Sequence, residues 1–386
     1  MNFGMRGLFS RTRGGPGRKV RNGSAWRFVA ASNQKVQRKS SYLRGFCELV
    51  AGRGADLSLN VYQRNADYVP RTDGPPTGTA GPKIALFDRV EWHTIPDPGT
   101  AAAALQTGVM DWWEQATPDL LPLLRKNPDV TVGVIDTLSY HAVVRFNHLY
   151  PPFNNANIRR ALLGAFSQTD MMIAVAGNDR SMWKAAVGYF QPDTPCASAA
   201  GMEALNSPRD LAKVKRELAA AGYNGEKFVF LVPTDLPAIN AMSEVAADVF
   251  RKLGMNMDYV ASDWGTVAQR LNSEQPPDKG GWSLNANYAP GYAASSPAAH
   301  GFLRGLGRKS LFGWPDMPGV EALRSEWIDA TDPAEQKRLC REIQLQAFRD
   351  VPYIPLGAFF FASAYRKDLA GILKGSVPVF WNVRRS

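Results

Sequence analysis

The stretch from Tyr140 to Gln168, YHAVVRFNHLYPPFNNANIRRALLGAFSQ, decides how the rest of the chain is read. Its first eight residues, Tyr140 to Asn147, are dense in β-branched and aromatic side chains, which suits a mostly buried strand. Pro151 and Pro152 end any ladder there, because proline has no N–H to donate. Asn154 and Asn155 are suited to cap a following helix. Beyond them Ile158, Ala161, Leu162, Ala165 and Phe166 recur at the spacing of one buried helical face. Arg159 and Arg160 sit in the first turn of that helix, where its dipole disfavours cations. Both therefore need a partner or a role.

Outward from this stretch, strand and helix signals alternate, which argues for α/β layers. Upstream, Leu59 to Arg71 begins with a short strand, residues 72–82 are a Pro/Gly loop, and residues 84–95 read as a strand. Asp97 caps the next helix, with Pro98 in its first turn and Gly108 at its end. A strand from Val109 to Trp113, a short helix at residues 118–126 and a strand at residues 130–135 follow. Downstream, Ser207 and Pro208 start a helix with Leu211, Val214, Leu218 and Ala221 on one face, closed by Gly222. A strand at residues 228–232 follows it. Pro237 opens a second helix that Gly254 stops, and a strand at residues 255–260 comes next. Residues 276–318 are expected to be a long irregular region rich in aromatics, and loops of that length are usually functional or disordered. Asp332, Pro333 and Glu335 form a capping box opening a helix to about Asp350. Residues 351–362 are strand-like.

The order of strand, Phe146-Asn147, Pro151-Pro152-Phe153, Asn155, then Ile158-Arg159-Arg160-Ala161-Leu162 resembles the extracellular solute-binding proteins of ABC importers, family 5, which carry peptides, nickel and related solutes. The pattern Asp97-Pro98-x-Thr100 through Leu105, Gly108 and Asp111-Trp112-Trp113 is similar to that family's helix–turn–strand. Residues 352–356 and the closing Phe380-Trp381-Asn382-Val383-Arg384-Arg385 are similar to its ending. The resemblance runs from about Val61 to Ser386. It implies a bilobal, type II (cluster C) periplasmic-binding-protein-like α/β fold, with much of the first lobe and its inserted subdomain missing. Residues 59–166 and 352–386 would be the remnant of the first lobe and residues 167–351 the second lobe. The two would hinge near residues 165 and 355, close on a solute and present it to a membrane permease.

Charge is unevenly spread. Residues 1–50 carry eleven of the 45 Lys and Arg and one of the 35 acids, Glu48, so the remaining chain holds 34 of each and is neutral. The net charge of +10 therefore says nothing about the ligand of the body. Residues 1–58 are expected to be basic and poorly ordered or non-native, with no apolar run suited to a secretory signal. Against the family, the chain reads as truncated at its start. Periplasmic location follows from the resemblance alone. Asn22 to Phe28 is similar to the family's Gly-rich turn before a strand ending in Phe. The hydrophobic content of 45% and charged content of 21% describe a globular protein. Cys47, Cys196 and Cys340 have no metal-ligand spacing with the four histidines, so at most one disulfide is possible, and three thiols are the simpler expectation.

Aromatics are the informative class of candidate site residue. Adjacent strand residues point to opposite faces, so at most one of Trp112 and Trp113 enters the core and the other lies on a cleft or interface. Trp282, Tyr288, Tyr292 and Trp314 fall in the aromatic-rich region, and aromatics with a polar tip commonly line solute pockets. The resemblance implies that this region closes over the ligand. Peptide binders often place an Asp there for the α-ammonium, whereas this chain has Tyr292-Ala293-Ala294-Ser295-Ser296-Pro297, which puts a free peptide in doubt. Arg159 is a candidate for a ligand carboxylate, although an ion pair is the commoner role for such a residue. Asn147 is expected to satisfy backbone groups. No GxSxG, HExxH, Walker A or GxGxxG motif follows a strand, which argues against an enzyme, and no cofactor or metal is expected. The expected partners are a small solute and a permease, the chain being monomeric and the body not a nucleic-acid binder. The alternative is an inert remnant whose basic head engages nucleic acid or another polyanion.

Overall fold

The computed structural model describes residues 25–28 and 47–50 as backbone strands, and residues 59–78 and 80–386 in full. Most of the expectation for residues 1–58 lies outside the described residues. The chain sorts into two units, Met1–Thr137 with Phe361–Ser386, and Leu138–Phe360.

In the first unit, β1 (Ala25–Phe28), β2 (Cys47–Val50), β3 (Leu59–Arg64) and β4 (Arg89–His93) form one sheet in the order β1-β4-β3-β2. β1 runs parallel to β4 and ends in Phe28, as the resemblance suggested. The expected strand over residues 84–95 shortens to β4. Helix α1 (Pro98–Gln106) starts as read: Asp97 accepts from the Thr100 amide at 2.7 Å, which satisfies an otherwise free helix-end donor. Gly108 follows the helix at φ 72°, a conformation that costs other residues a steric penalty. β5 (Trp112–Ala116), α2 (Leu121–Arg125) and β6 (Val130–Gly133) follow.

The second unit begins with β7 (Tyr140–Phe146), capped α3 (Ala156–Leu163), α4 (Gln168–Ala176) and the two-residue β8 (Trp183–Lys184). Asn155 caps α3 through its side chain, as the opening stretch predicts. Then come α5 (Glu203–Asn206), α6 (Leu211–Ala220), β9 (Phe228–Pro233), α7 (Pro237–Leu253) and β10 (Met257–Ser262). Helix α8 (Trp264–Leu271), β11 (Leu284–Pro290), α9 (Pro318–Asp329), α10 (Pro333–Asp350) and β12 (Tyr353–Phe359) complete it. Six strands pair in the order β10-β9-β11-β7-β12-β8, so β7 lies at the interior of the sheet. Helix α4 packs on β12 and α7 on β11 and β9, and the rings of Phe146, Phe153, Phe228 and Phe250 touch in series, the last two contacts edge-to-face. The chain then returns to the first unit as β13 (Ala362–Arg366), inserted between β5 and β6, and the short pair β14 (Leu369–Ala370) and β15 (Arg384–Arg385).

Four expectations change. Residues 276–318 are not one irregular stretch, because β11 within them is a central strand antiparallel to β7. Its sequence, LNANYAP, lacks β-branched residues, so tertiary pairing rather than propensity makes it a strand. The division between units falls at 137/138 and 360/361 rather than near 165 and 355. β7 and β12 pair with each other and with second-unit strands, which carries residues 138–166 and 352–360 into that unit. Cys196 and Cys340 form a disulfide across 144 residues instead of remaining thiols. Both Trp112 and Trp113 are buried, at 1% and 5% exposure, because β5 is covered along its whole length and strand alternation leaves no open face.

Candidate functional site

At the end of the six-stranded sheet where both connections leave for the first unit, three aromatic rings meet. Register puts Phe359 opposite Tyr140 and Tyr288 opposite Ala142, so all three side chains share one face. Tyr140 and Tyr288 lie 5.4 Å apart edge-to-face, Tyr288 and Phe359 5.5 Å, and Tyr140 and Phe359 stack at 5.9 Å. All three are buried, and the turn after β11 brings Tyr292 beside them in sequence, at 38% exposure. That turn is close to the chain: a Cβ on Gly291 would sit 2.3 Å from the Leu138 carbonyl, so only glycine fits. On β8, which pairs with Phe359, Trp183 carries the Arg180 guanidinium 3.8 Å above its ring.

The opposite face of β7 is polar and sealed. His141 and His300 are fully buried, and the Tyr353 hydroxyl lies 2.9 Å from His300 Nε2. His300 Nε2 is also 2.7 Å from the Tyr189 carbonyl, an acceptor, which assigns the proton to that nitrogen. Burial lowers the pKa of His141 to about 4 and that of His300 to about 3, so both rings are neutral at pH 7. Arg145 is 3% exposed between the Phe302 and Phe312 rings, at 4.3 and 4.4 Å, and donates to the Phe312 carbonyl. Among the described residues, no group of three His, Cys, Asp or Glu is arranged to hold a metal ion.

The other sequence-based candidates are distributed elsewhere. Trp282 and Trp314 pack on each other at 6.1 Å, and the Trp282 indole donates to the Leu271 carbonyl at 3.1 Å. Trp282 lies beside Leu284, which pairs with Phe146. That is roughly 20 Å along the strand from Tyr140 at ~3.4 Å per residue. The structure therefore does not bring Trp282 and Trp314 to Tyr288 and Tyr292. Trp112 belongs to the first unit's core with Trp92, Phe380 and Trp381, and its indole donates to Ser363. Asp111, beside it, is fully buried and paired with Arg385; burial pushes its carboxyl up to about 7, opposed by that guanidinium. Arg159 is bound to backbone: it donates to the Phe153 carbonyl at 2.7 Å, Val351 at 2.9 Å and Asp350 at 2.5 Å, closing the C-terminal end of α10. Asn147 donates to the Trp282 carbonyl at 2.8 Å, the backbone role expected of it. Tyr140 and Phe359 were missed as candidates because nothing in their local pattern separates a strand-end aromatic in a cluster from an ordinary core residue.

Comparison with known proteins bears on the family and the fold. Residues 58–302 match the sequence profile of the bacterial extracellular solute-binding proteins, family 5 (middle region). The "probable peptide ABC transporter periplasmic-binding protein y4tO" of Sinorhizobium fredii is 33% identical over 328 residues, covering 84% of this chain and 61% of the relative. The chain thus spans about three fifths of the length of that curated relative. Among solved structures, the DppA periplasmic binding protein of Helicobacter pylori, in complex with the peptide STSA, matches with a TM-score of 0.70 at 19% identity, over 88% of this chain and 62% of that one. The binding protein AgaA of A. tumefaciens R10, in complex with agropinic acid, matches with a TM-score of 0.72 at 15% identity, over 88% and 66%. The mixed α/β fold is that of the type II periplasmic binding proteins.

Proposed function

The chain belongs to the bacterial extracellular solute-binding proteins of family 5, and from that premise we propose that it captures a small solute, peptide-like or other, for delivery to the membrane permease of an ABC importer. It binds and releases without chemical change. The observation that carries this reading is the aromatic end of the second unit. Tyr140, Tyr288 and Phe359 present a preformed apolar wall, with Tyr292 exposed next to it in the chain. Of the earlier candidates Tyr288 and Tyr292 stay in this site, whereas Trp113 is buried in β5. Trp112, Trp282, Trp314 and Arg159 act in packing. A periplasmic setting is supported by the Cys196–Cys340 disulfide, since such bonds persist in oxidising compartments. Proteins of this fold have been solved in complex with the peptide STSA and with agropinic acid.

The test is a thermal-shift panel of short peptides, glutathione, agropinic acid and mannopinic acid on the purified chain. A solute at 100 times its Kd stabilises the folded state by about 2.7 kcal/mol. That raises the melting temperature by roughly 5–10 °C for a unit of this size. Tyr292→Ala should then weaken binding of the hit by about tenfold. A panel with no shift, or a hit whose affinity is untouched by both Tyr288→Ala and Tyr292→Ala, would overturn the proposed site.

A further inference from the structure

Between β8 and α5 the chain runs from Val187 to Gly201 without helix or strand, yet residues 187–191 and Cys196 are buried and the segment is held at many points. Three buried glutamine side chains hold it. Gln168 donates to the Val187 carbonyl at 2.8 Å and accepts from its amide at 2.9 Å. Gln344, on α10, donates to the carbonyls of Ser198 and Ala200 at 2.9 and 2.7 Å. Gly188 and Gly201 are tight against Gln344 and Phe348, with built Cβ atoms 2.4 and 2.6 Å from those side chains, so the segment lies flush on α10. One turn before Gln344 on that helix, Cys340 is bonded to Cys196 in the segment.

The third glutamine points the other way. Gln191 is fully buried, its amide N–H donates to the Ala294 carbonyl at 2.9 Å, and its side-chain amide donates to the Leu138 carbonyl and to the Ser139 hydroxyl. Leu138 and Ser139 are the first residues after the chain enters the second unit. Ser139 holds φ 56°, a left-handed conformation that a serine adopts only when its surroundings fix it. Its carbonyl accepts from the Gly291 amide at 2.8 Å. The next residue is Tyr140.

We propose that residues 187–201 are a strap, pinned to α10 by the Cys196–Cys340 disulfide, whose Gln191 side chain holds the first connection between the units in one backbone conformation. The oxidation state of the disulfide then sets how ordered that connection is, and with it the start of β7. A dithiol cleaves the S–S bond, leaving two cysteine thiols, and is itself oxidised to its cyclic disulfide. The strap then keeps only its hydrogen bonds, to Gln168 and Gln344 and, near its start, to Ala294, His300 and Tyr353. The effect is local because the bonds that the Gln191 side chain donates end on Leu138 and Ser139, at the start of β7.

Amide hydrogen exchange on the full chain tests this without any solute, so it stands or falls separately from the proposed function. Four samples are compared: the oxidised protein, the protein treated with dithiothreitol, Gln191→Met, and Cys196→Ser/Cys340→Ser. Methionine matches the length of glutamine but donates no hydrogen bond. Exchange in residues 137–142 and at the Gly291 amide should quicken by about fivefold to thirtyfold in Gln191→Met, the factors that one and two net hydrogen bonds correspond to. In the reduced protein the same amides should quicken together with residues 187–201, while α7 keeps its protection. Unchanged exchange at residues 137–142 after reduction, with residues 187–201 loosened, would overturn the coupling. Equal loosening of α7 would also overturn it, making the disulfide a general staple of the unit. Should the double serine variant fail to fold, reduction of the folded wild type carries the same decision.

Discussion

Replacing Arg159 with methionine separates two roles for one residue. The sequence offers it as a carboxylate ligand, whereas the structure spends its guanidinium on three carbonyls at 2.5–2.9 Å. Methionine keeps the apolar stem and removes the donors, leaving the end of α10 and Phe153 with buried acceptors. A hydrogen bond is worth about 1 kcal/mol net, and more where an acceptor is stranded. Three such losses come to about 3 kcal/mol. Burial lowers the guanidinium pKa only to about 10, so the charged form is the one lost at pH 7. In a unit the size of Leu138–Phe360 that corresponds to a fall of roughly 6–12 °C in Tm. Circular dichroism melts measure it, and solute affinity at low temperature, where the variant is folded, should match the wild type. A Tm within about 2 °C of wild type together with lost binding would refute the capping argument and restore Arg159 as a solute contact.

Other perturbations test separate parts. Arg385→Ala strips the partner from buried Asp111 and unpins the C-terminal segment, so the first unit should lose about 3 kcal/mol in denaturant titration at pH 8. Gly357→Ala forces φ 113° on a residue whose Cβ would meet Met172 at 2.7 Å, and should cost about 2–3 kcal/mol in the same assay. His141 and His300 have folded pKa values below the ordinary 6.5, so the unfolded state binds more protons as pH falls. Stability they support above pH 6.5 is lost on acidification through the folded values near 4 and 3, at up to about 1.4 kcal/mol per pH unit each. Melts at pH 7 and pH 5 should differ by several kcal/mol, and a His300→Asn variant with the same pH slope would contradict this. Adding dithiothreitol at pH 7 should lower the Tm of the second unit, as the 144-residue span between Cys196 and Cys340 ceases to restrict the unfolded chain.

The local elements with their own chemical signals were legible without coordinates. Asp97-Pro98 and Gly108 bracket α1, Asn155 caps α3, and Gly254 at φ 74° stops α7, because capping depends on neighbours a few residues away. The same is true of the β7–Pro–Asn–helix order that carries the family resemblance. What sequence could not supply was anything set by partners distant along the chain. β11 is a strand because β7 and β9 offer it hydrogen bonds, although its own residues do not favour one. Arg159 reads in sequence as an ion-pair or ligand-carboxylate residue because carbonyls nearly two hundred residues later are invisible to periodicity. The Cys196–Cys340 bond, the bonds of Gln168 and Gln344 to residues 187–201 and the meeting of Tyr140, Tyr288 and Phe359 arise only when the chain closes on itself. Short-range sterics and hydrogen bonding thus fixed where helices begin and end. Long-range pairing and burial decided which aromatics meet, which cations are occupied and where one unit gives way to the other.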